Sequence, residues 1–176
     1  MSNRWKVLMI AAAAVTATIP AAASAGVSRS NLVTAAAQSP DHTTLVAAVK
    51  AAGLVDTLAS GGPFTLFAPT DAAFARLPAG TVDKLLQPAN RDRLRAVLTY
   101  HAVQGTFTAA DLVKLIGQNG GRAILKTVQG GTLTATLSGG SVALTDATGG
   151  TAKVTTADLA QSNGVIHVTD TVSLPM

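Results

Sequence analysis

Four glycine pairs, at positions 120–121, 130–131, 139–140 and 149–150, cut the second half of this 176-residue chain into short pieces of similar length. Paired glycines supply the positive φ angles that tight hairpins require and that side chains resist. The pieces between them are strand-like: Ile124-Leu125-Lys126-Thr127-Val128, Leu133-Thr134-Ala135-Thr136-Leu137 and Val142-Ala143-Leu144-Thr145. The middle piece alternates apolar residues with Thr, as a strand with one face in a core does. The spacing predicts a meander of antiparallel strands. It does not predict a calcium-binding glycine repeat, because such repeats carry a ligand Asp each time and only Asp146 falls within this run.

The first half follows a helical rhythm. Segments 31–37 and 42–52 place Leu45, Val46 and Val49 on one stripe, with Asp41 as the expected N-cap and Gly53 as the stop. A short helix at 54–59 precedes the Gly61-Gly62-Pro63 break, and Phe64-Thr65-Leu66-Phe67-Ala68 reads as a buried strand ended by Pro69. Thr70 or Asp71 can cap the turn that follows, and segments 82–86, 92–100 and 111–116 complete the helices. A last strand is expected at 165–172. Helices first and hairpins later indicate an α+β domain, not a parallel doubly wound one.

With 48% apolar and 12% charged residues, the chain has material for one packed core and is not a charge-rich tail. The excess of thirteen Lys and Arg over nine acidic residues, all Asp, is small, and Arg4 and Lys6 belong to the N-terminal stretch. No nucleic-acid partner is expected from so slight a charge. The absence of cysteine excludes disulfides, thiolate metal sites and thiol catalysis.

Residues 1–25 read as a signal peptide. Arg4 and Lys6 form the basic start, 7–19 is Ala-rich and apolar, and Ala23-Ser24-Ala25 is the small-residue pattern that signal peptidase accepts. The apolar part is shorter than the roughly 20 residues a permanent span needs, and Thr16, Thr18 and Pro20 interrupt it. Residues 26–176 would then form one domain, secreted or periplasmic, without stable membrane insertion.

Three segments carry a resemblance to a known family. Thr65-Leu66-Phe67-Ala68-Pro69-Thr70-Asp71-Ala72-Ala73-Phe74, continuing to Leu77-Pro78, resembles the first signature box of the fasciclin (FAS1 or βig-h3) domain. Asn163-Gly164-Val165-Ile166-His167-Val168-Thr169-Asp170, with Val172, Leu174 and Pro175, resembles the second. Between them, Leu98-Thr99-Tyr100-His101-Ala102-Val103 is similar to the family's Tyr-His segment, and the likeness extends over about residues 30–175. The resemblance implies a fold of two small β-sheets forming a wedge flanked by N-terminal helices, with 65–74 beside the closing strand. It implies a non-enzymatic module that mediates cell adhesion or binds a protein, cell-surface or matrix component. The family also contains carotenoid carriers, so an apolar ligand such as a carotenoid is the alternative, with a groove along Leu112, Leu115 and Ile116 as its expected place.

Several side chains stand out chemically. Asp71, next to Thr70 at the strand-to-helix corner, is expected to accept N–H bonds at the new helix start. Tyr100 and His101 admit two readings: a contact pair, as the resemblance implies, or core residues bonded to neighbouring backbone. On the closing strand, His167 and Thr169 share one face, while Ile166, Val168 and Asp170 share the other, where Asp170 would need a bonded partner. Asn163 and Gly164 open that strand. A zinc site from His101, His167 and an Asp is disfavoured, since no close-spaced ligand pair exists. No Gly-x-Ser-x-Gly or phosphate loop occurs, so no catalytic residues are assigned. Arg91, Arg93 and Arg95 read as a solvated basic helix face.

Export is directly testable. Because Trp5 is the only tryptophan, mass spectrometry of the exported protein should find Gly26 at the N-terminus, and its emission should be that of tyrosine alone. Tryptophan emission with an intact N-terminus would overturn the cleavage.

Overall fold

The structure is a computed structural model and describes residues 30–175; the expected signal peptide lies outside the described residues. Helix α1 (Leu32–Gln38) begins at Asn31, whose side-chain oxygen accepts from the Thr34 N–H. A 3₁₀ turn, Pro40–His42, leads into α2 (Thr43–Ala52), which Gly53 ends in the left-handed region at φ 68°. Then come α3 (Val55–Ser60), β1 (Phe64–Pro69), α4 (Asp71–Ala75), α5 (Thr81–Leu86) and, after a second 3₁₀ turn, α6 (Arg91–Tyr100). Strand β2 (Ala102–Gln104) and helix α7 (Ala109–Gln118) precede the meander β3 (Arg122–Lys126), β4 (Thr132–Ser138), β5 (Ser141–Thr145) and β6 (Thr151–Gln161), and β7 (Gly164–Thr169) closes the fold.

The strands hydrogen-bond in the order β2-β1-β7-β6-β5-β4-β3. All pairings are antiparallel except β1 with β7, which run parallel from Phe64 beside Gly164 to Pro69 beside Thr169. Strand β6 belongs to both halves: Thr151, Ala152 and Lys153 pair with β5, and from Val154 onward it pairs with β7. Two register shifts, between Val154 and Thr156 and between Thr156 and Leu159, bend it from one sheet into the other. The two expected sheets are thus joined through one bulged strand. Their outer edges also meet, through a Val103–Thr127 bridge and a bond from the Val128 N–H to the Ala102 carbonyl.

Two cores result, one on each side of the β1–β7 pair. Leu66 and Ile166 face the helical core with Leu45, Leu94 and Leu98. Phe67 faces the second core with Tyr100, Leu112, Ile116, Leu133 and Leu144, and its ring stacks on His167 with centroids 5.5 Å apart. The alternation read along the last strand holds, but neither face meets water: all six residues of β7 are buried.

Some expectations are corrected. Asp41 does not cap α2: the N-cap is His42, without a side-chain cap bond, because a proline-led 3₁₀ turn separates Asp41 from the helix. Leu112 and Ile116 of helix α7 line no surface groove, since each is 1% exposed and belongs to the second core; of the three expected residues only Leu115 lines a surface pocket, with Phe107 and Lys114. Strand β2 and the full length of β6 were not anticipated, being too short and too irregular in alternation respectively.

Close approach of β7 to β1 demands Gly164. A Cβ there would collide with the Phe64 carbonyl oxygen, which is backbone and cannot yield. Gly164→Ala should therefore cost at least ~2 kcal/mol in urea unfolding, whereas Gly140→Ala, at a turn with open space around it, should lose only the ordinary cost of a positive φ, about 1 kcal/mol. Equal losses would refute the tight β1–β7 contact.

Candidate functional site

The three signature segments converge on the β1–β7 pair, and several of their polar side chains bond to backbone far away in sequence. Thr70 caps α4, its hydroxyl accepting from the Ala73 N–H at 3.2 Å, and its own N–H donates to the Thr169 carbonyl. Asp71 departs from expectation. Its carboxylate reaches not its own helix but the start of α2, accepting from the Thr44 N–H at 2.7 Å, the Thr43 N–H at 3.3 Å and the Thr43 hydroxyl. The capping chemistry is as read; the helix is a different one, because Thr70 already occupies the local cap and α2 lacks one.

Asn163 acts similarly just before β7. Its Oδ1 accepts from the Leu32 N–H at the start of α1, and its amide nitrogen donates to the carbonyls of Leu58 and Gly61 at the end of α3. Asp170, at the other end of β7, accepts from the Lys153 N–H and the Thr171 hydroxyl and meets Arg76 at 3.4 Å. Its expected need for partners is met.

Tyr100 and His101 lie inside, at 1% and 2% exposure. The Tyr100 hydroxyl donates to the Thr132 carbonyl and accepts from the Ala147 N–H. His101 Nδ1 lies 2.7 Å from the Val97 carbonyl, which can only accept, so that nitrogen carries the proton. Its Nε2 then accepts from the Ser173 N–H at 3.0 Å. Tyr100 thus ties together two turns of the meander, while His101 fastens the C-terminal strap, residues 171–175, together with a residue that sequence reasoning passed over. Asp146 accepts from the Thr148 hydroxyl and the Thr148 and Gly150 N–H groups, and its second oxygen accepts from the Leu174 N–H. The Asp-x-Thr-Gly-Gly run at 146–150 is the signal that could have revealed it, since an Asp at that position bonds backbone two residues on.

His167 is wholly buried. Its Nε2 donates to the Phe107 carbonyl at 2.7 Å, and its Nδ1 accepts from the Asp158 N–H at 3.3 Å. Asp158 sits at φ 61° in the β6 bulge and its carboxylate accepts from the Ala109 N–H at the start of α7. No local pattern announces that role. Among the described residues, no group of three or more His or acidic side chains is placed to hold a metal, and no helix is long and apolar enough to cross a membrane.

The outward face of the meander differs in character. Ile124, Thr134, Thr145 and Thr151 form one cross-strand row, and Arg122, Thr136, Ala143 and Lys153 form the next. Ile124 is 71% exposed there, with Lys126 two residues along β3. The result is a threonine-rich surface with cations on its outer strands.

Comparisons with known proteins agree with this architecture. The family model for the fasciclin domain matches residues 40–175. Protein sll1483 of Synechocystis sp. is 50% identical over 144 residues, which cover 82% of this chain and 73% of that protein. Immunogenic protein MPB70 of Mycobacterium bovis is 37% identical over 155 residues, covering 85% and 72% respectively. Transforming growth factor-beta-induced protein ig-h3 of Sus scrofa is 37% identical over 131 residues, 74% of this chain and 17% of that one. Among solved structures, a FAS1 domain pair from the insect cell adhesion molecule Fasciclin I matches with a TM-score of 0.72 at 22% identity, over 84% of this chain and 51% of that chain. That last likeness is one of fold.

The buried imidazoles make stability depend on pH. Burial pushes His101 and His167 below the ordinary value of 6.5, outweighing the carbonyls and the Asp146 and Asp158 charges that favour the proton. Protonation would also turn each acceptor nitrogen against an N–H. The unfolded chain therefore takes up these protons first, so this contribution is complete above 6.5 and is lost as pH falls below it. Burial raises Asp71 and Asp170, but hydrogen bonds to Thr43 and Thr44 and to Lys153 and Thr171, with Arg76 beside Asp170, outweigh it; both lie below 3.8, so their contribution fades only below that pH. Unfolding free energy should thus decline as pH falls below about 6.5, with a slope of up to roughly 1.4 kcal/mol per pH unit for each imidazole while only the unfolded chain is protonated. A flat urea-unfolding profile across that window would show that these imidazoles are not held neutral.

Proposed function

We propose that this chain, which belongs to the fasciclin-domain family, is an exported, non-enzymatic module that mediates adhesion by binding a protein or a cell-surface or matrix component. The observation that carries the reading is a division of labour. The polar side chains of the signature segments are engaged in holding the fold, as Asp71, Asn163, Tyr100, His101 and His167 illustrate. What remains for a partner is surface, and the outward face of the meander presents the exposed Ile124 together with the exposed cations Arg122, Lys126 and Lys153. Tyr100 and His101 then serve binding indirectly, by fixing the strap and the hairpins behind that face.

Family context supports the same direction, since a solved structure with this fold comes from a protein described as a cell adhesion molecule. Export follows from the reading of residues 1–25 and places the module outside the cytoplasm, in the periplasm or released.

The test is a retention assay. Immobilised mature protein should hold cells or matrix, and Ile124→Asp combined with Lys126→Glu should lower retention at least about tenfold with an unchanged melting temperature. Undiminished retention by that variant would remove the meander face from the contact. No retention by the parent protein would sink the adhesion reading itself.

A further inference from the structure

Three cations on the outward face of the meander are left without a counter-charge. Arg122 and Lys126 stand on β3 either side of Ile124, and Lys153 stands on β6 in the same cross-strand row as Arg122. All three are exposed, and among the described residues none of their side chains has an ion-pair or hydrogen-bond partner. The sequence explains the imbalance. No acidic residue occurs between Asp111 and Asp146, and Asp146 is buried and spent on its own turn and the C-terminal strap. Asp170 meets the Lys153 backbone N–H, but its charge is paired with Arg76. Cations on an edge strand can serve merely to prevent pairing with another sheet. That accounts for Arg122 and Lys126 but not for Lys153, because β6 lies between β5 and β7.

We propose that this face binds an acidic polysaccharide, a sugar polymer carrying carboxylates or sulfates. This rests on the adhesion reading and narrows its partner to one chemistry. Spacing selects a polymer over a small anion. Arg122 and Lys153 are three strand spacings apart, about 14 Å, and Arg122 and Lys126 are four residues apart, about 13 Å. Each separation exceeds the screening length in physiological salt, about 8 Å, so the cations act as separate points. The ground between them suits sugar. The hydroxyls of Thr132, Thr134, Thr145 and Thr151 have no hydrogen-bond partner among the described residues, and each can donate and accept, as sugar hydroxyls do. Ile124 offers an apolar contact to the C–H face of a sugar ring. Other occupants fit less well. A second copy would set cations against cations. Single-stranded nucleic acid would find no aromatic side chain between 122 and 161 to stack on. An anionic membrane would gain only Ile124 as an apolar insertion on this face.

Binding of the purified protein to immobilised alginate, dextran sulfate and uncharged dextran tests the chemistry. Both acidic polymers should bind and dextran should not, and binding should weaken at least about tenfold between roughly 0.05 and 0.5 M NaCl. Arg122→Gln, Lys126→Gln and Lys153→Gln combined should weaken it at least about tenfold at an unchanged melting temperature. Lys126→Arg with Lys153→Arg, which keeps the charge, should bind as the parent does. Arg91→Gln, Arg93→Gln and Arg95→Gln combined, on the exposed face of α6, should leave binding unchanged. Equal binding of dextran and dextran sulfate, an equal loss from the α6 variant, or tighter binding to phosphatidylglycerol vesicles than to either acidic polymer would overturn the site. Cell retention by a protein that binds neither acidic polymer would overturn this partner and leave the adhesion reading standing.

Discussion

The parallel contact between β1 and β7 is the constraint on which this molecule is built. It brings Phe64 against Gly164 and carries on to Pro69 against Thr169, so a strand from the helical half lies beside the strand that closes the chain. Parallel neighbours need a long crossover, and here the crossover contains four helices and the other five strands. Everything between the pair must be folded or tolerated before the contact can form. Once formed, it separates two cores, with Leu66 and Ile166 on one side and Phe67 and His167 on the other. Both cores depend on its register, because a slip of one residue would exchange their side chains.

The polar residues around that pair solve a second problem, which is how to fix helices to a sheet without large contact areas. Helix starts leave N–H groups without intrahelical partners. In this fold three helix starts are met from residues in or next to strands: α2 by Asp71 just after β1, α1 by Asn163 just before β7 and α7 by Asp158 in β6. A cap contributes about 0.5–2 kcal/mol, and a remote cap does more than satisfy a donor, since it also dictates where the helix begins in space. The strap at 171–175 is fastened by the same logic, with His101 and Asp146 accepting from the N–H groups of Ser173 and Leu174. Signature residues that admit a contact reading in one dimension are, in three, the joints of a frame.

This explains which parts of the molecule were legible in advance. Glycine pairs and apolar periodicity are local, and they correctly announced the hairpins, most of the helices and the α+β order. Thr70 as a cap was legible for the same reason. Asp71 was readable as a capping group but not as the cap of α2, because its target begins at Thr43, far back in the chain. Strand β6 was invisible since two register shifts break the alternation on which a strand is recognised. Tyr100 and His101 remained open between contact and core because a Tyr-His pair looks alike in both settings; only the folded chain distinguishes them, with Tyr100 in the second core and His101 buried against the Val97 and Ser173 backbone.

A frame whose polar groups are so fully used confines function to what the frame leaves over. A side chain that bonds three backbone groups, as Asn163 does, has no capacity for a ligand, and replacing it would damage the fold before it touched any activity. Unmet bonding capacity is therefore the more informative signal in a protein of this kind. Among the described residues, the outer meander is one place that keeps such capacity, with the exposed cations Arg122, Lys126 and Lys153 around the exposed Ile124. Such a face suits a broad partner that brings its own polar surface and leaves water at the rim. A partner there competes with none of the residues that hold the frame together.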